Sequence, residues 1–259
     1  MISIAIAGAA GRMGKLLVRN VVEDGELELK QAFDVVRVGE DVGEIAGVGK
    51  TGIKISDNIS ELNSDVLIDF TIAEAAVKNI KVASEKGVKL VVGTTGFSDE
   101  QWREIEVAIK VPAVISPNFS VGVNLFWKTL EFVTPYLLSY DVEILEIHHR
   151  FKRDAPSGTA IKAANVIKKI FDEKGIKKEL RFERSGICPR EDEIGVFGIR
   201  GGDVVGEHTV FFLGDGERLE ITHRAGSRQA FASGAIKAVK WIADVDEPGI
   251  YTMDDVLGF

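Results

Sequence analysis

The stretch Ile2-Ser3-Ile4-Ala5-Ile6-Ala7-Gly8-Ala9-Ala10-Gly11-Arg12-Met13-Gly14 decides the fold class. Ile2, Ile4 and Ile6 alternate along a strand that meets Gly8, and a helical pattern follows from about Met13 to Glu23. Glycines at a strand-to-helix turn permit a tight bend and close approach of the backbone to a pyrophosphate. The helix start then offers unpaired N–H groups and the positive end of its dipole. The spacing is G-x-x-G-x-x-G rather than G-x-G-x-x-G, so an ordinary glycine turn is the alternative. The position directly behind an N-terminal apolar strand favours a nucleotide site.

Further strands and helices extend the pattern. Strands are expected at Leu27–Phe33, Val66–Phe70, Val88–Val92 and Ala113–Ser116. A helix is expected over Ala73–Lys86, stopped by Gly87, and another behind the Ser98/Gln101 capping box, reaching about Lys110. Strands separated by helices imply a doubly wound parallel sheet of the α/β class. Ligands of such sheets bind beyond the strand C-termini. Gly93-Thr94-Thr95-Gly96 and Ser116-Pro117-Asn118-Phe119 end two strands and are candidates for the nicotinamide–ribose end, with plain turn chemistry as the alternative. Asp34 ends the second strand, where an acid can accept hydrogen bonds from adenosine ribose hydroxyls. An acid there repels a 2′-phosphate and favours NADH; Arg37 or Arg12 can offset that repulsion, so NADPH stays open.

From about Ser120 the pattern changes. A helix over Asn124–Leu138, a strand at Val142–His148 and a helix from Ser157 to before Gly175 precede four strand-like runs. These are Leu180–Arg184, Ile194–Ile199, Glu207–Leu213 and Arg218–Thr222, the last two joined through Gly214-Asp215-Gly216 as a hairpin. They predict a second, α+β domain with a mixed sheet, spanning 120–228. The final helix, Gln229–Ala243, is a candidate to return to the first domain, which would then comprise 1–119 and 229–259.

Composition narrows the function classes. The 259 residues carry a net charge of -8, which argues against nucleic acid as a partner. No apolar run reaches the roughly 18 residues of a membrane span. The N-terminus runs into a glycine turn rather than a secretory leader, and the single cysteine, Cys188, fits a reducing, cytoplasmic setting.

The densest functional signal is Glu146-Ile147-His148-His149-Arg150-Phe151-Lys152-Arg153-Asp154-Ala155-Pro156-Ser157-Gly158-Thr159. It gathers two of the four histidines and three basic residues in an acidic chain. Such a patch at a strand end can bind an anionic substrate, and the helix opened by Ser157-Gly158-Thr159 suits a carboxylate. A solvated charged loop is the competing reading. Adjacent histidines without a nearby cysteine make a poor zinc set. Cys188 lacks a neighbouring base and reads as inert. His208 reads as core or interface, His223 as the start of a loop and Arg200-Gly201-Gly202 as a turn, with a subunit interface as one place for it.

The segment EIHHRFKRDAPSGTA (146–160) resembles the signature of the dihydrodipicolinate reductase (4-hydroxy-tetrahydrodipicolinate reductase) family of lysine and diaminopimelate synthesis. So do GAAGRMG (8–14), GTTGF (93–97), SPNFSVGVN (116–124), IRGGDVVGEHTV (199–210) and HRAGSRQAFASGA (223–235), in the family's order. The resemblance implies a Rossmann domain, a mixed-sheet substrate and oligomerisation domain, and a homotetramer. By resemblance His148 is the acid/base histidine and Lys152 the proton donor, while His149, Gly158 and Thr159 bind the dicarboxylate substrate. Gly8, Ala9, Ala10, Gly11, Arg12, Met13, Asp34, Gly93, Thr94, Thr95, Ser116, Pro117, Asn118 and Phe119 match cofactor-binding positions. The family often has Glu followed by Arg where this chain has Asp34-Val35, so the choice between NADH and NADPH stays open. Two rival readings are another Rossmann reductase, such as an amino-acid or semialdehyde dehydrogenase, and a non-enzymatic dinucleotide-sensing protein. The semialdehyde enzyme would need a thiol nucleophile, and the sensor would need no HHRFK cluster.

Overall fold

A computed structural model describes residues Met1–Phe259, the whole chain. In chain order the first elements are β1 (Ile2–Ala7), α1 (Arg12–Glu23), β2 (Leu27–Phe33), α2 (Val42–Ala46), β3 (Ile55–Ser56), β4 (Val66–Asp69), α3 (Ala73–Glu85), β5 (Lys89–Val92), α4 (Asp99–Ala108) and β6 (Pro112–Ile115). Next come α5 (Val121–Val133), β7 (Asp141–His148), α6 (Gly158–Glu173), β8 (Glu179–Arg181), β9 (Glu193–Arg200), β10 (Gly206–Gly214) and β11 (Glu217–Ala225). The chain closes with α7 (Gln229–Ala243), β12 (Gly249–Tyr251) and α8 (Met253–Leu257). It divides into two compact units, Met1–Val121 with Arg228–Phe259, and Gly122–Ser227.

The first unit holds a seven-stranded sheet in the order β12-β6-β5-β4-β1-β2-β3, with every pairing parallel. Alternation sends Ile4 and Ile6 to one face, beneath α1, α2, α7 and α8. Ala5 and Ala7 go to the other, beneath α3 and α4. A parallel sheet covered on both faces needs apolar side chains on both, which is why β4 (Val-Leu-Ile-Asp) is buried throughout. The sheet grows from β1 through β2 to β3, then restarts on the far side with β4. The switch point between β1 and β4 is where a crevice opens beyond the strand ends.

The second unit holds a mixed sheet in the order β11-β10-β7-β9-β8. β7 pairs parallel with β9 and antiparallel with β10. Helices α5 and α6 cover one face through Phe126, Trp127, Leu130, Ile167 and Phe171, against Val142, Ile144, Val196, Val210 and Phe212. On the opposite face Leu145, Ile147, Phe197 and Phe211 are half-buried and Ile199 is exposed.

Three expectations are corrected. The helix placed over Asn124–Leu138 runs instead from Val121 to Val133 and tightens into a 3₁₀ turn over Thr134–Tyr136, because Pro135 sits where a continuing helix needs an N–H donor. His223 does not begin a loop: it lies within β11, directly opposite His208. Arg200 is not a surface turn residue: it ends β9 opposite His148, with its guanidinium turned to a buried acid.

Candidate active site

The turn after β1 is built by close approach. Gly8 takes a left-handed φ of 78°, and a Cβ there would stand 2.6 Å from the Phe70 carbonyl oxygen. A Cβ on Gly14 would stand 2.1 Å from the Gly8 oxygen, so α1 can pack on this turn only if residue 14 is glycine. Gly11 is the N-cap of α1 and supplies no side chain to its first turn, which also contains no acid. The first turn of α1 thus has no side-chain cap and no acid of its own, which is the condition under which a helix start can take an anion. Ala9 is fully buried; Gly11 and Arg12 are exposed, and Met13 and Ala10 half-buried.

Asp34 follows β2 and faces this turn. Its carboxylate accepts from the Ala10 N–H at 3.0 Å and the Val36 N–H at 3.2 Å. A cleft of about 390 Å³ lies alongside, lined by Gly8, Gly11, Asp34, Phe70 and Thr71 among others. Arg37 is not among its lining residues: it has a left-handed φ of 59° and is tied to Glu40 at 2.6 Å. Arg12 lines an adjoining hollow with Phe70, Thr71, Gly93, Thr94 and Thr95. Arg228, at the N-cap of α7, has its pKa lowered by burial and then by the charge of Arg12, so two guanidinium groups share this region.

The ends of β4 and β5 are pinned by Asp69, which is fully buried. It accepts from Thr71 Oγ1 and Thr94 Oγ1, each at 2.7 Å, and from Asn79 Nδ2 at 2.7 Å. Gly93 has no room for a side chain because the Phe70 ring would lie 2.3 Å from its Cβ. Beyond β6, Ser116 Oγ donates to the Asn118 carbonyl at 2.9 Å, Pro117 is exposed, and Phe119 is core, 5.7 Å from the Phe70 ring.

In the second unit, strand alternation places Val142, Ile144, Glu146 and His148 on the helix-covered face of β7. Glu146 is fully buried at a position where a core strand normally carries a hydrocarbon. Its Oε2 lies 2.5 Å from His148 Nδ1, and its Oε1 accepts from the Ser157 N–H at 3.1 Å. Arg200 clamps both oxygens, at 2.8 and 2.6 Å, and reaches the Asp154 carbonyl at 2.6 Å. Burial alone would push the Glu146 carboxyl up, but hydrogen bonds from His148 and Arg200 outweigh it and hold the pKa at about 2. Since the carboxylate only accepts, His148 Nδ1 is the donor, and Nε2 remains for other work.

His208 stands edge-on to His148 with ring centres 5.2 Å apart, its Nε2 2.9 Å from Ser157 Oγ. Burial, reinforced by the charge of His148, drives the His208 pKa down to about 3, so this ring is neutral. Ser157 caps α6, its Oγ accepting from the Ala160 N–H. Gly158 is exposed at the helix start, and the Thr159 carbonyl accepts from Trp127 Nε1 at 3.1 Å. Lys152 pairs with both oxygens of Asp154 at 2.8 and 2.9 Å. His149 donates its backbone N–H to the Val204 carbonyl.

Residues 2–119 match the family profile described as "Dihydrodipicolinate reductase, N-terminus", and residues 122–257 match "Dihydrodipicolinate reductase, C-terminus". The chain belongs to the dihydrodipicolinate reductase family. The 4-hydroxy-tetrahydrodipicolinate reductase of Archaeoglobus fulgidus is 62% identical over 255 residues, covering 98% of this chain and 99% of that protein. The protein of the same name from Methanocaldococcus jannaschii is 51% identical, covering 100% and 98%. A solved structure, dipicolinate-bound dihydrodipicolinate reductase from Paenisporosarcina sp. TG-14, superposes with TM-score 0.77 at 26% identity over 97% of each chain. A scyllo-inositol dehydrogenase from Lactobacillus casei, with bound NAD(H) and scyllo-inositol, has TM-score 0.60 at 13% identity over 100% of this chain and 94% of that one, a likeness of fold alone.

Within this reductase chain, sequence reasoning gave no catalytic or binding role to Glu146, Arg200, His208, Asp69 or Arg228. Glu146 had a legible signal, an acid in phase with Val142 and Ile144 on a strand. The others depend on partners far away in sequence.

Proposed function

We propose that this protein reduces the cyclic unsaturated imine formed from 4-hydroxytetrahydrodipicolinate (dihydrodipicolinate) to tetrahydrodipicolinate, with NADH or NADPH as reductant, in lysine synthesis by the diaminopimelate route. The observation that carries the reading is His148 held by Glu146, whose other oxygen takes the N–H of Ser157 at the N-cap of α6, with Lys152 four residues after His148, in a chain that matches this reductase family over residues 2–119 and 122–257.

The glycine turn, the uncapped start of α1 and the acid at Asp34 fit a nicotinamide dinucleotide. Gly8 to Met13 would receive its pyrophosphate with Arg12, and Asp34 the adenosine ribose. Gly93 to Thr95 and Ser116 to Phe119 would border its nicotinamide end, Phe119 through its backbone. Arg37, now paired with Glu40, would reach a 2′-phosphate only by exchanging that partner. When bound, the reduced cofactor supplies a hydride to the conjugated carbon of the substrate ring, leaving an electron-rich enamine that needs a proton.

The chain's own groups do the rest. His148 holds a proton for that enamine at Nε2 when the ring is cationic. Lys152, released from Asp154, attracts the dianion and donates a hydrogen bond or proton. His149, the first N–H groups of α6 at Gly158, and Thr159 hold a carboxylate. The sheet face bearing Leu145, Ile147, Phe197, Phe211 and Ile199 supports self-association, as a homotetramer. With a net charge of -8 and a lone thiol, we place the enzyme in the cytoplasm, with no nucleic-acid or membrane partner. The direct test follows loss of reduced-nicotinamide absorbance with enzymatically generated substrate. No turnover would sink the reading. Light scattering tests assembly, and a monomer at micromolar concentration would contradict it.

A further inference from the structure

We propose that Glu146 is a positioning residue: held by Arg200, it fixes the tautomer and direction of the His148 ring so that only Nε2 faces the substrate. The proposal rests on the functional reading above for the role of His148, and its first test does not depend on turnover.

Each atom of Glu146 has one assigned partner set. Oε1 takes the Ser157 N–H and Arg200 Nη2. Oε2 takes His148 Nδ1 and Arg200 Nη1. All of these are donors, so the group must be a carboxylate, and Nδ1 must carry a hydrogen in both the neutral ring and the cation. A neutral ring therefore offers a lone pair at Nε2, and a cationic ring offers a proton there. Switching between acid and base at one atom needs this constraint, because a ring free to exchange tautomers spends time with the wrong nitrogen protonated.

The neighbouring strands make room for the pair. Glu146 lies opposite Gly198 on β9, where a Cβ would stand 2.7 Å from Oε1. On β10, a Cβ at Gly206 would stand 2.9 Å from His148 Nε2. Gly198 lies inside β9, where a strand disfavours glycine, and Gly206 opens β10; the missing side chains leave space for the acid and keep the working nitrogen clear. The charged and titratable groups around the ring are Glu146 on β7, Arg200 on β9, His208 on β10, and Lys152 and Asp154 from the following loop. Arg200 also holds the Asp154 carbonyl at 2.6 Å, so the same clamp steadies the loop that carries Lys152.

Glu146→Gln separates positioning from mere packing. An amide nitrogen at the Oε1 position would face two fixed donors. At the Oε2 position it faces Arg200 Nη1 and His148 Nδ1, and the ring can relieve the second conflict by moving its proton to Nε2. The variant should therefore invert the tautomer.

The experiment is ¹⁵N NMR of the four histidine rings, assigned by single substitutions, in substrate-free wild type and E146Q. Wild-type neutral His148 should be protonated at Nδ1, and E146Q should be protonated at Nε2. In steady state, kcat of E146Q should fall ~10²–10⁴-fold, the range seen when an orienting acid is lost or a general acid is disabled. KM for the dicarboxylate should change less, and NADH affinity by fluorescence should be unchanged. Should E146Q fold poorly, Arg200→Lys keeps the charge and the Nδ1–H tautomer but loses the fork, and should lower kcat by a smaller factor. A wild-type ring protonated at Nε2, or E146Q with wild-type kcat, would overturn the proposal. Absent turnover in the wild type would instead sink the functional reading and leave the NMR result standing.

Discussion

Acidification between pH 6.5 and 4.5 should weaken the wild-type fold far more than that of a His208→Gln variant. In the unfolded chain the His208 ring has its ordinary pKa near 6.5; in the folded chain burial, then the charge of His148, lowers it to about 3. A base whose folded pKa is depressed stays neutral while the unfolded ring takes up a proton. Its contribution is therefore whole above pH 6.5 and is lost as pH falls towards 3. Each pH unit in that window costs about 1.4 kcal/mol, so the step from 6.5 to 4.5 costs about 2.7 kcal/mol. Glu146, lowered from 4.5 to about 2, and Asp41, lowered from 3.8 to about 2, act in the same direction but mostly below pH 4.5. His223, lowered by burial, has the same sign and is present in both proteins, so it cancels in the comparison. Glutamine can still reach Ser157 Oγ, which limits the loss at neutral pH. The assay is urea unfolding at about pH 7.5 and 4.5, read by Trp127, the only tryptophan of the second unit, with Trp102 and Trp241 changed to Phe. The wild type should lose about 2–3 kcal/mol more than the variant between the two conditions. Equal losses would refute the neutral buried ring.

Lys152→Ala should lower kcat by ~10²–10⁴ with a smaller change in KM, leaving NADH affinity unaltered; wild-type kinetics would reduce Lys152 to a surface partner of Asp154. Asp34→Ala should raise KM for NADH more than for NADPH, and equal effects on both would remove Asp34 from the ribose. Gly14→Ala places a Cβ 2.1 Å from the Gly8 oxygen. It should destabilise the first unit by about 1–3 kcal/mol or more and abolish nucleotide binding; an unchanged melting temperature would refute that packing. Asp154→Asn frees Lys152 and should lower KM for the dicarboxylate several-fold, whereas a rise in KM would mean that Asp154 helps to hold Lys152 in place.

The Rossmann half was legible because its signals are local and long enough to show a period. β1 alternates over six residues, α1 and α3 run for twelve and thirteen, and Ser98 with Gln101 forms the expected capping box. The short elements were silent for the same reason. Two residues of β3, three of β12 and five each of α2 and α8 are too few for a period to emerge. Their signals lay in single side chains. Asp41 caps α2 and gathers Thr51 and Gly52, and Thr252 with Asp255 forms a capping box on α8. At the candidate site, the segment from Glu146 to Thr159 stood out, but the partners that give it a geometry did not. Arg200 and His208 come from β9 and β10, and only the pairing of those strands with β7 brings them to it.

The same long-range pairing changes how the basic cluster should be read. By sequence, Arg150, Lys152 and Arg153 form a positive patch, with Arg200 a distant turn. In the fold, Arg200 is consumed by a buried carboxylate and Lys152 by Asp154, while Arg150 and Arg153 are exposed and make no ion pair within the chain. The two kinds of pairing differ in how readily they yield. The Arg200–Glu146 clamp is buried on the acid's side, and removing one partner from such a pair typically costs about 3–5 kcal/mol. The Lys152–Asp154 pair has an aspartate whose side chain is 62% exposed, and pairs of that kind contribute roughly 0–1 kcal/mol. On the proposed reading, a substrate carboxylate would take Asp154's place on Lys152 at little cost, while the clamp on Glu146 would keep His148 aimed. On that reading one cation would be fixed and another exchanged, a division set by burial rather than by the count of basic residues.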